Sequence, residues 1–230
     1  MAHSPNRLLA AQPADVFAAL EPHLKIVDLT LGEVTAEPGS EVKRVYFPHS
    51  GVVSLVVQLR VGEMIETAMI GRDGVLNASA ALDGKVSFNK GIVQRSGVAS
   101  VIDVDQLRRI ALEFGAFRSV LMRHDQALFA EAQQSAACNA SHSVEARMCR
   151  WLLRMRDLAG DDLTLTQEFL AQMLGVRRPS VSVVANTLQK AGLIRYRRGH
   201  VRLLDIAGLE KGSCECYRAV KTHYERLFLS

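Results

Sequence analysis

Cysteine is scarce and late in this chain. There are four, Cys138, Cys149, Cys214 and Cys216, and none precedes Cys138. That distribution has none of the paired spacing of a disulfide scaffold, so it gives no sign of an oxidising compartment. Long apolar runs are missing too: no stretch approaches the ~20 residues that a membrane span needs. The short apolar run at residues 8–11 is cut off by Pro13 and Asp15, which leaves no core for a signal peptide. These absences point to a soluble, cytoplasmic protein with no membrane partner. No glycine-rich phosphate loop, nucleophile–base motif or metal-ligand cluster of diagnostic spacing is visible, so no enzyme activity is expected. Aromatic residues are only 6% of the chain, but apolar residues are 48%, too many for a disordered chain.

What is present is most informative between residues 163 and 204. Thr166 is an N-cap for a short helix whose apolar positions are Phe169, Leu170, Met173 and Leu174. Gly175 can take the left-handed conformation that ends it. A second helix is predicted over about 178–191, with Pro179 tolerated in its first turn and Val181, Val184 and Leu188 on its buried side. Two strands, 193–196 and 201–204, flank the turn Arg197-Arg198-Gly199-His200. This is the pattern of a winged helix-turn-helix, which places its second helix in the DNA major groove. The formal net charge of +4 would not identify a nucleic-acid binder. Its placement does, because Arg177, Arg178, Lys190, Arg195, Arg197, Arg198 and Arg202 crowd this one segment.

The candidate DNA contacts follow from that geometry. Arg177 and Arg178 open the second helix, and an arginine there can donate two parallel hydrogen bonds to guanine. Pro179 shares this end; Ser180 and Ser182 can reach phosphates or base edges, with Asn186 one turn beyond Ser182. Thr166 and Gln167 stand where free backbone N–H groups favour a phosphate. Arg197, Arg198 and His200 on the wing are placed to touch the flanking backbone.

The rest of a 230-residue chain implies a second domain. After one or two short helices, residues 26–29, 42–47, 52–57, 65–70, 91–94 and 98–102 read as short strands punctuated by glycine and proline. Such a pattern argues for a β-sandwich or barrel. From about residue 105 the period becomes helical, and a long helix is predicted over 117–137. Phe117, Leu121, His124 and Leu128 recur on it as a helix–helix seam requires, and are taken as a dimer interface. Residues 138–141 read as a hinge before an amphipathic helix over 144–158. The expected architecture is α+β, with a β-barrel sensor domain (1–116), a dimerisation helix (117–137) and a winged-helix DNA-binding domain (138–230).

In that order and spacing the chain resembles the Crp/Fnr family of bacterial transcription regulators over nearly its whole length. The resemblance rests on Val45-Tyr46-Phe47-Pro48 with Gly51-Val52-Val53-Ser54-Leu55, then Ile70-Gly71-Arg72-Asp73-Gly74. It continues through His142-Ser143-Val144-Glu145-Ala146-Arg147 with Arg150-Trp151-Leu152-Leu153, and residues 166–193. It implies a homodimer on a near-palindromic operator, a jelly-roll domain of the cyclic-nucleotide-binding type that adjusts DNA binding, and contact with RNA polymerase if the protein activates. Pro179 and Val183 occupy positions where the family commonly has a glutamate and a second arginine, so the family's usual operator is not carried over.

The resemblance also directs attention to a ligand pocket around Gly71, Arg72, Asp73, Gly74, Lys85, Ser87 and Lys90. Arg72 stands where the cyclic-nucleotide cassette has an acid, and no arginine–serine or arginine–threonine pair follows Gly84. A cyclic nucleotide is therefore not expected; the domain is read either as binding a different small-molecule effector or as a sensor barrel that has lost its ligand. Iron–sulfur members carry N-terminal cysteines that this chain lacks. His49 and His124 are loose haem candidates that read more simply as structural. Cys138, His142 and Cys149 are spaced near whole helical turns, and Cys214 and Cys216 with His223 would need a further ligand to hold zinc. Both groups are read as free or buried thiols, with no metal and no cofactor. The leading function is a signal-responsive DNA-binding regulator. The competing one is a small-molecule-binding β-barrel whose winged helix makes protein contacts.

Overall fold

The short apolar runs become antiparallel strands in the structure, a computed structural model that describes residues 4–60 and 62–228. Two short helices, α1 (Arg7–Ala10) and α2 (Ala14–Leu20), lead through a 3-10 turn into the β-domain. Its strands are β1 (Lys25–Leu29), β2 (Val34–Ala36), β3 (Arg44–Pro48), β4 (Val52–Gln58) and β5 (Met64–Ile70). After the short helix α3 (Ala78–Ala81) come β6 (Lys90–Arg95) and β7 (Gly97–Asp103). They form two sheets, ordered β1-β7-β3 and β2-β6-β4-β5, with every pairing antiparallel. Val45 and Phe47 from the first sheet and Val53, Ile70 and Val93 from the second are fully buried, as inward-facing residues of a two-sheet domain must be.

Helix α4 (Val104–Glu113) returns along this domain, capped by the Asp103 side chain. The long helix α5 (Gly115–Ser141) continues past the expected end at 137, so the anticipated hinge at 138–141 is helical. The chain instead breaks at His142 and Ser143, where Ser143 caps α6 (Val144–Ala159). The seam read from the sequence is corrected here. Phe117, Leu121 and His124 are fully buried inside their own chain, and Leu128 packs between two of its core clusters. His124 accepts a hydrogen bond from the Val75 N–H on Nε2 at 3.1 Å, close under Gly74, where an added Cβ would lie 2.7 Å from that nitrogen. The helix has a second stripe that faces away: Ser119, Met122, Gln126, Phe129, Gln133, Ala136 and Ala140 are all exposed.

The C-terminal part contains β8 (Asp162–Thr164), α7 (Gln167–Leu174), α8 (Arg178–Lys190), β9 (Ile194–Arg197) and β10 (His200–Leu203). It closes with α9 (Ile206–Gly212) and α10 (Cys216–Arg226). Its sheet runs β8-β10-β9. One core joins this part to the β-domain: Val52, Val56 and Met69 pack in the same cluster as Trp151, Leu152, Leu170 and Met173. Polar ties reinforce that seam. Trp151 Nε1 donates to Glu66 Oε1 at 2.7 Å, Ser54 donates to the other Glu66 oxygen, and Arg154 Nη1 donates to Asp73 Oδ2 at 2.7 Å. No helix of the described residues is long and apolar enough to cross a membrane.

Candidate nucleic-acid interface

The helix-turn-helix is built from local rules visible in the residues. The Thr166 side chain accepts from the Phe169 N–H at 3.1 Å and caps α7. Gly175 ends α7 at φ +61°, a left-handed conformation that a side chain disfavours. Arg177 is the N-cap residue of α8 and Pro179 lies in its first turn. The buried stripe of α8 is Val181, Ala185 and Leu188, with Val184 only partly covered. The wing turns on Arg198 (φ +49°) and Gly199 (φ +79°), so both central residues have positive φ, the two-residue hairpin pattern.

These elements leave a groove of about 380 Å³ between the start of α7, the outer face of α8 and the wing. Thr166, Gln167, Arg178, Asn186, Arg198 and Gly199 line it, so six residues from three segments of the motif converge. Arg177, Arg178, Pro179, Asn186, Arg197, Arg198 and His200 are exposed or nearly so, while Ser180 is half-buried. The Arg178 guanidinium reaches only Glu168, at 4.0 Å, and its side chain is 65% exposed. Arg177, Arg197 and Arg198 form no ion pair among the described residues. Ser182 is committed internally: its hydroxyl donates to Gln167 Oε1 at 2.5 Å and lies 3.2 Å from the Arg178 carbonyl. It therefore joins the two helices and holds Gln167 in place.

Two further residues set the groove. Gln189 Oε1 accepts the Tyr196 N–H at 2.7 Å, and the Tyr196 hydroxyl donates to the Leu165 carbonyl at 2.9 Å. They bind the wing to α8 and to the loop that leads into α7. A tyrosine amid arginines on a strand is the sequence signal that points to Tyr196, whereas Gln189 offers none. On the opposite side of the turn, Gly62, Glu63, Met64 and Ile65 at the β4–β5 hairpin face Gly175, Val176, Arg177 and Arg178 across a cleft of about 650 Å³.

The ligand pocket expected around residues 71–74 and 85–90 is corrected. Arg72 donates to the Asp157 carbonyl at 3.3 Å, Asp73 is bound by Arg154, and Gly71 lies under Leu158. Gly74 backs His124, Lys90 pairs with Glu37 at 3.1 Å, and Lys85 serves the Val42 N–H through its carbonyl. The set does not share one cavity: Arg72 lines a cleft of about 690 Å³ with His49, Arg95 and Arg156, and Ser87 lines a separate cavity of the β-domain. The cavity, of about 410 Å³, lies between the four-stranded sheet, α3 and α5. Leu55, Thr67, Leu76, Asp125, Leu128 and Phe129 share its wall, and no lysine or arginine does. Burial pushes the Asp125 carboxyl up to about 6 and the His124 imidazole down to about 4. The haem candidates are both occupied: His124 by Val75, and His49 by Ser100 at 2.7 Å.

Residues 146–211 match the model of the Crp-like helix-turn-helix domain. The transcriptional regulator LdrP of Thermus thermophilus is 28% identical over 186 residues, covering 75% of this chain and 89% of that protein. Among solved structures, FixK2 from Bradyrhizobium japonicum superposes with a TM-score of 0.71 at 14% identity, covering 83% of this chain and 98% of that one. A Crp/Fnr family transcriptional regulator, also from Thermus thermophilus, gives 0.64 at 22% identity, covering 81% and 97%. Residues 146–211 thus form a Crp-like helix-turn-helix domain, set in a fold shared with Crp/Fnr regulators.

Proposed function

We propose that this chain is a transcription regulator of the Crp/Fnr type that binds a near-palindromic operator as a homodimer, reading bases with the start of α8 and gripping phosphates with Thr166, Gln167 and the wing. The observation that carries the reading is the groove itself. Its cations stand on elements that the fold fixes, and their side chains are left uncommitted, as a polyanion partner requires. The exposed stripe of α5 supplies the twofold contact. Met122 and Phe129 are 49% and 65% exposed, and a large apolar residue at both positions on one helix face marks a site for a second helix. The sensor is the cavity beneath α5. Its walls of Leu55, Leu76, Leu128 and Phe129, with Thr67, Ser87 and Asp125 for orientation, suit a small, mostly apolar effector and not a phosphate. Such an effector changes DNA affinity only through its preference between two dimer states.

Selection of bound fragments from a random DNA pool tests the reading. It should enrich a sequence with twofold symmetry whose half-sites lie about one helical turn apart. Failure to enrich any sequence, with binding indifferent to salt, would instead favour a protein partner for the winged helix. Met122→Asp, on the same stripe but outside the effector cavity, should convert the dimer to a monomer in sedimentation and abolish half-site pairing.

A further inference from the structure

The structure gathers chemistry at the joint between α5 and α6 that is unrelated to the groove. Cys138 lies in the last turn of α5 and His142 is the residue that ends it, donating its N–H to the Cys138 carbonyl at 3.0 Å. Cys214 and Cys216 flank the start of α10. The three sulfurs and one imidazole nitrogen all lie within 4.8 Å of one another. The sequence groups Cys138 and His142 with Cys149, and Cys214 and Cys216 with His223. The fold separates those sets and makes this one.

The spacings decide what such a cluster can hold. A tetrahedral zinc ion, with Zn–S of about 2.3 Å and Zn–N of about 2.0–2.1 Å, needs neighbouring donors roughly 3.5–3.8 Å apart. Cys138 Sγ is 3.5 Å from Cys214 Sγ, and Cys216 Sγ is 3.6 Å from His142 Nδ1. Cys138 and Cys216 are fully buried and Cys214 is 7% exposed, so the sulfurs are shielded from solvent, while His142 is 24% exposed and forms the outer side of the site. The surrounding groups also fit. His142 turns its other ring nitrogen, Nε2, to Glu215 Oε1 at 3.3 Å, the carboxylate–histidine arrangement that orients a metal-bound imidazole. Gln134 Nε2 donates to Cys216 Sγ at 3.0 Å, a bond that a thiolate strengthens. Three thiolates and a neutral imidazole around a divalent ion leave one negative charge. Arg147 and Arg150 on α6 are close enough to Cys138 to offset it.

We propose that Cys138, His142, Cys214 and Cys216 form a closed tetrahedral site for zinc, which fastens α10 to the joint between α5 and α6. Four protein donors leave no open position, so the ion is structural and does not activate water. Its consequence is mechanical. The joint between α5 and α6 is tied to the C-terminal helix, and each thiol loses its proton as the ion binds.

The test uses the full chain. As isolated from zinc-containing medium, it should carry one zinc per chain by elemental analysis. Cobalt(II) titrated into the chelator-treated wild type should give the strong visible bands of a tetrahedral thiolate site, saturating at one equivalent; this does not depend on any variant folding. Cys214→Ser should remove those bands, and Cys149→Ser, at a buried cysteine outside the cluster, should retain them. Glu215→Gln should keep the tetrahedral spectrum but weaken affinity by about tenfold or more. An octahedral cobalt spectrum, bands that require Cys149, an iron–sulfur chromophore, or a Cys138–Cys214 disulfide without zinc would each overturn the proposal.

Discussion

Two sets of charged side chains in this molecule meet opposite fates. At the seam between the β-domain and α6, Arg154 is enclosed. It donates to Asp73 at 2.7 Å and to the Met69 carbonyl at 3.2 Å, lies 3.9 Å from Glu131, and stacks 4.3 Å over the Tyr224 ring. In the groove, Arg178 has a single weak neighbour in Glu168, and the wing arginines Arg197 and Arg198 have no ion-pair partner among the described residues. The difference is that the first satisfies its charges within the chain and the second leaves them for something outside. Buried, paired charge specifies how the two halves sit together, whereas exposed, unspent charge marks where a ligand docks.

The largest effect is expected at the seam. Arg154→Met leaves Asp73 and Glu131 buried without their cation, and should cost about 3–5 kcal/mol in urea denaturation. A loss below about 1 kcal/mol would mean that the seam admits water and is not the structural half of the contrast. Glu66 sharpens the same point through pH. Burial raises its carboxyl to about 8 despite the bonds from Ser54 and Trp151, and Glu131 and Arg150 act on it from α5 and α6. A folded-state value above the unfolded one means that the folded chain holds the extra proton. Its contribution is therefore complete below about 4.5 and fades as pH rises through about 8, by at most about 1.4 kcal/mol per pH unit. Glu66→Gln should flatten that decline. An unchanged profile would place the titration elsewhere.

The groove is far more legible in the sequence than the seam. Thr166, Gly175 and Gly199 act within a few residues of themselves, so capping and turn rules locate α7, α8 and the wing to within a residue or two. The stripe Phe117, Leu121, His124 and Leu128 is visible too, but its partner is not. Helix α5 has two usable faces, and periodicity cannot say which one its own β-domain will cover. Residues 71–74 mislead for a related reason: a short charged turn looks like a ligand loop until tertiary structure supplies Arg154 and the Asp157 carbonyl. The cysteine cluster is beyond local rules altogether, because Cys138 and Cys214 stand 76 positions apart and meet only when α10 folds back on α5.

The smaller effects divide the groove itself. Arg178→Ala should cost about 1–3 kcal/mol on the selected operator and relax preference at one base position, because a bidentate guanidinium discriminates between bases. The wing predicts something different in kind. Arg198 sits at the tip of a two-residue turn, at φ +49°, on the wall of the groove that the wing supplies and not on α8. A cation so placed meets phosphates, and each phosphate contact releases about one counterion. Arg198→Ala should thus weaken every DNA sequence alike, by less than Arg178→Ala does on the operator, and reduce the slope of log affinity against log salt by about 1. Fluorescence anisotropy on operator and scrambled duplexes at several salt concentrations separates the two. If Arg198→Ala instead altered base preference and left the salt slope intact, the wing would be reading sequence, and the division between α8 and its flank would have to be redrawn.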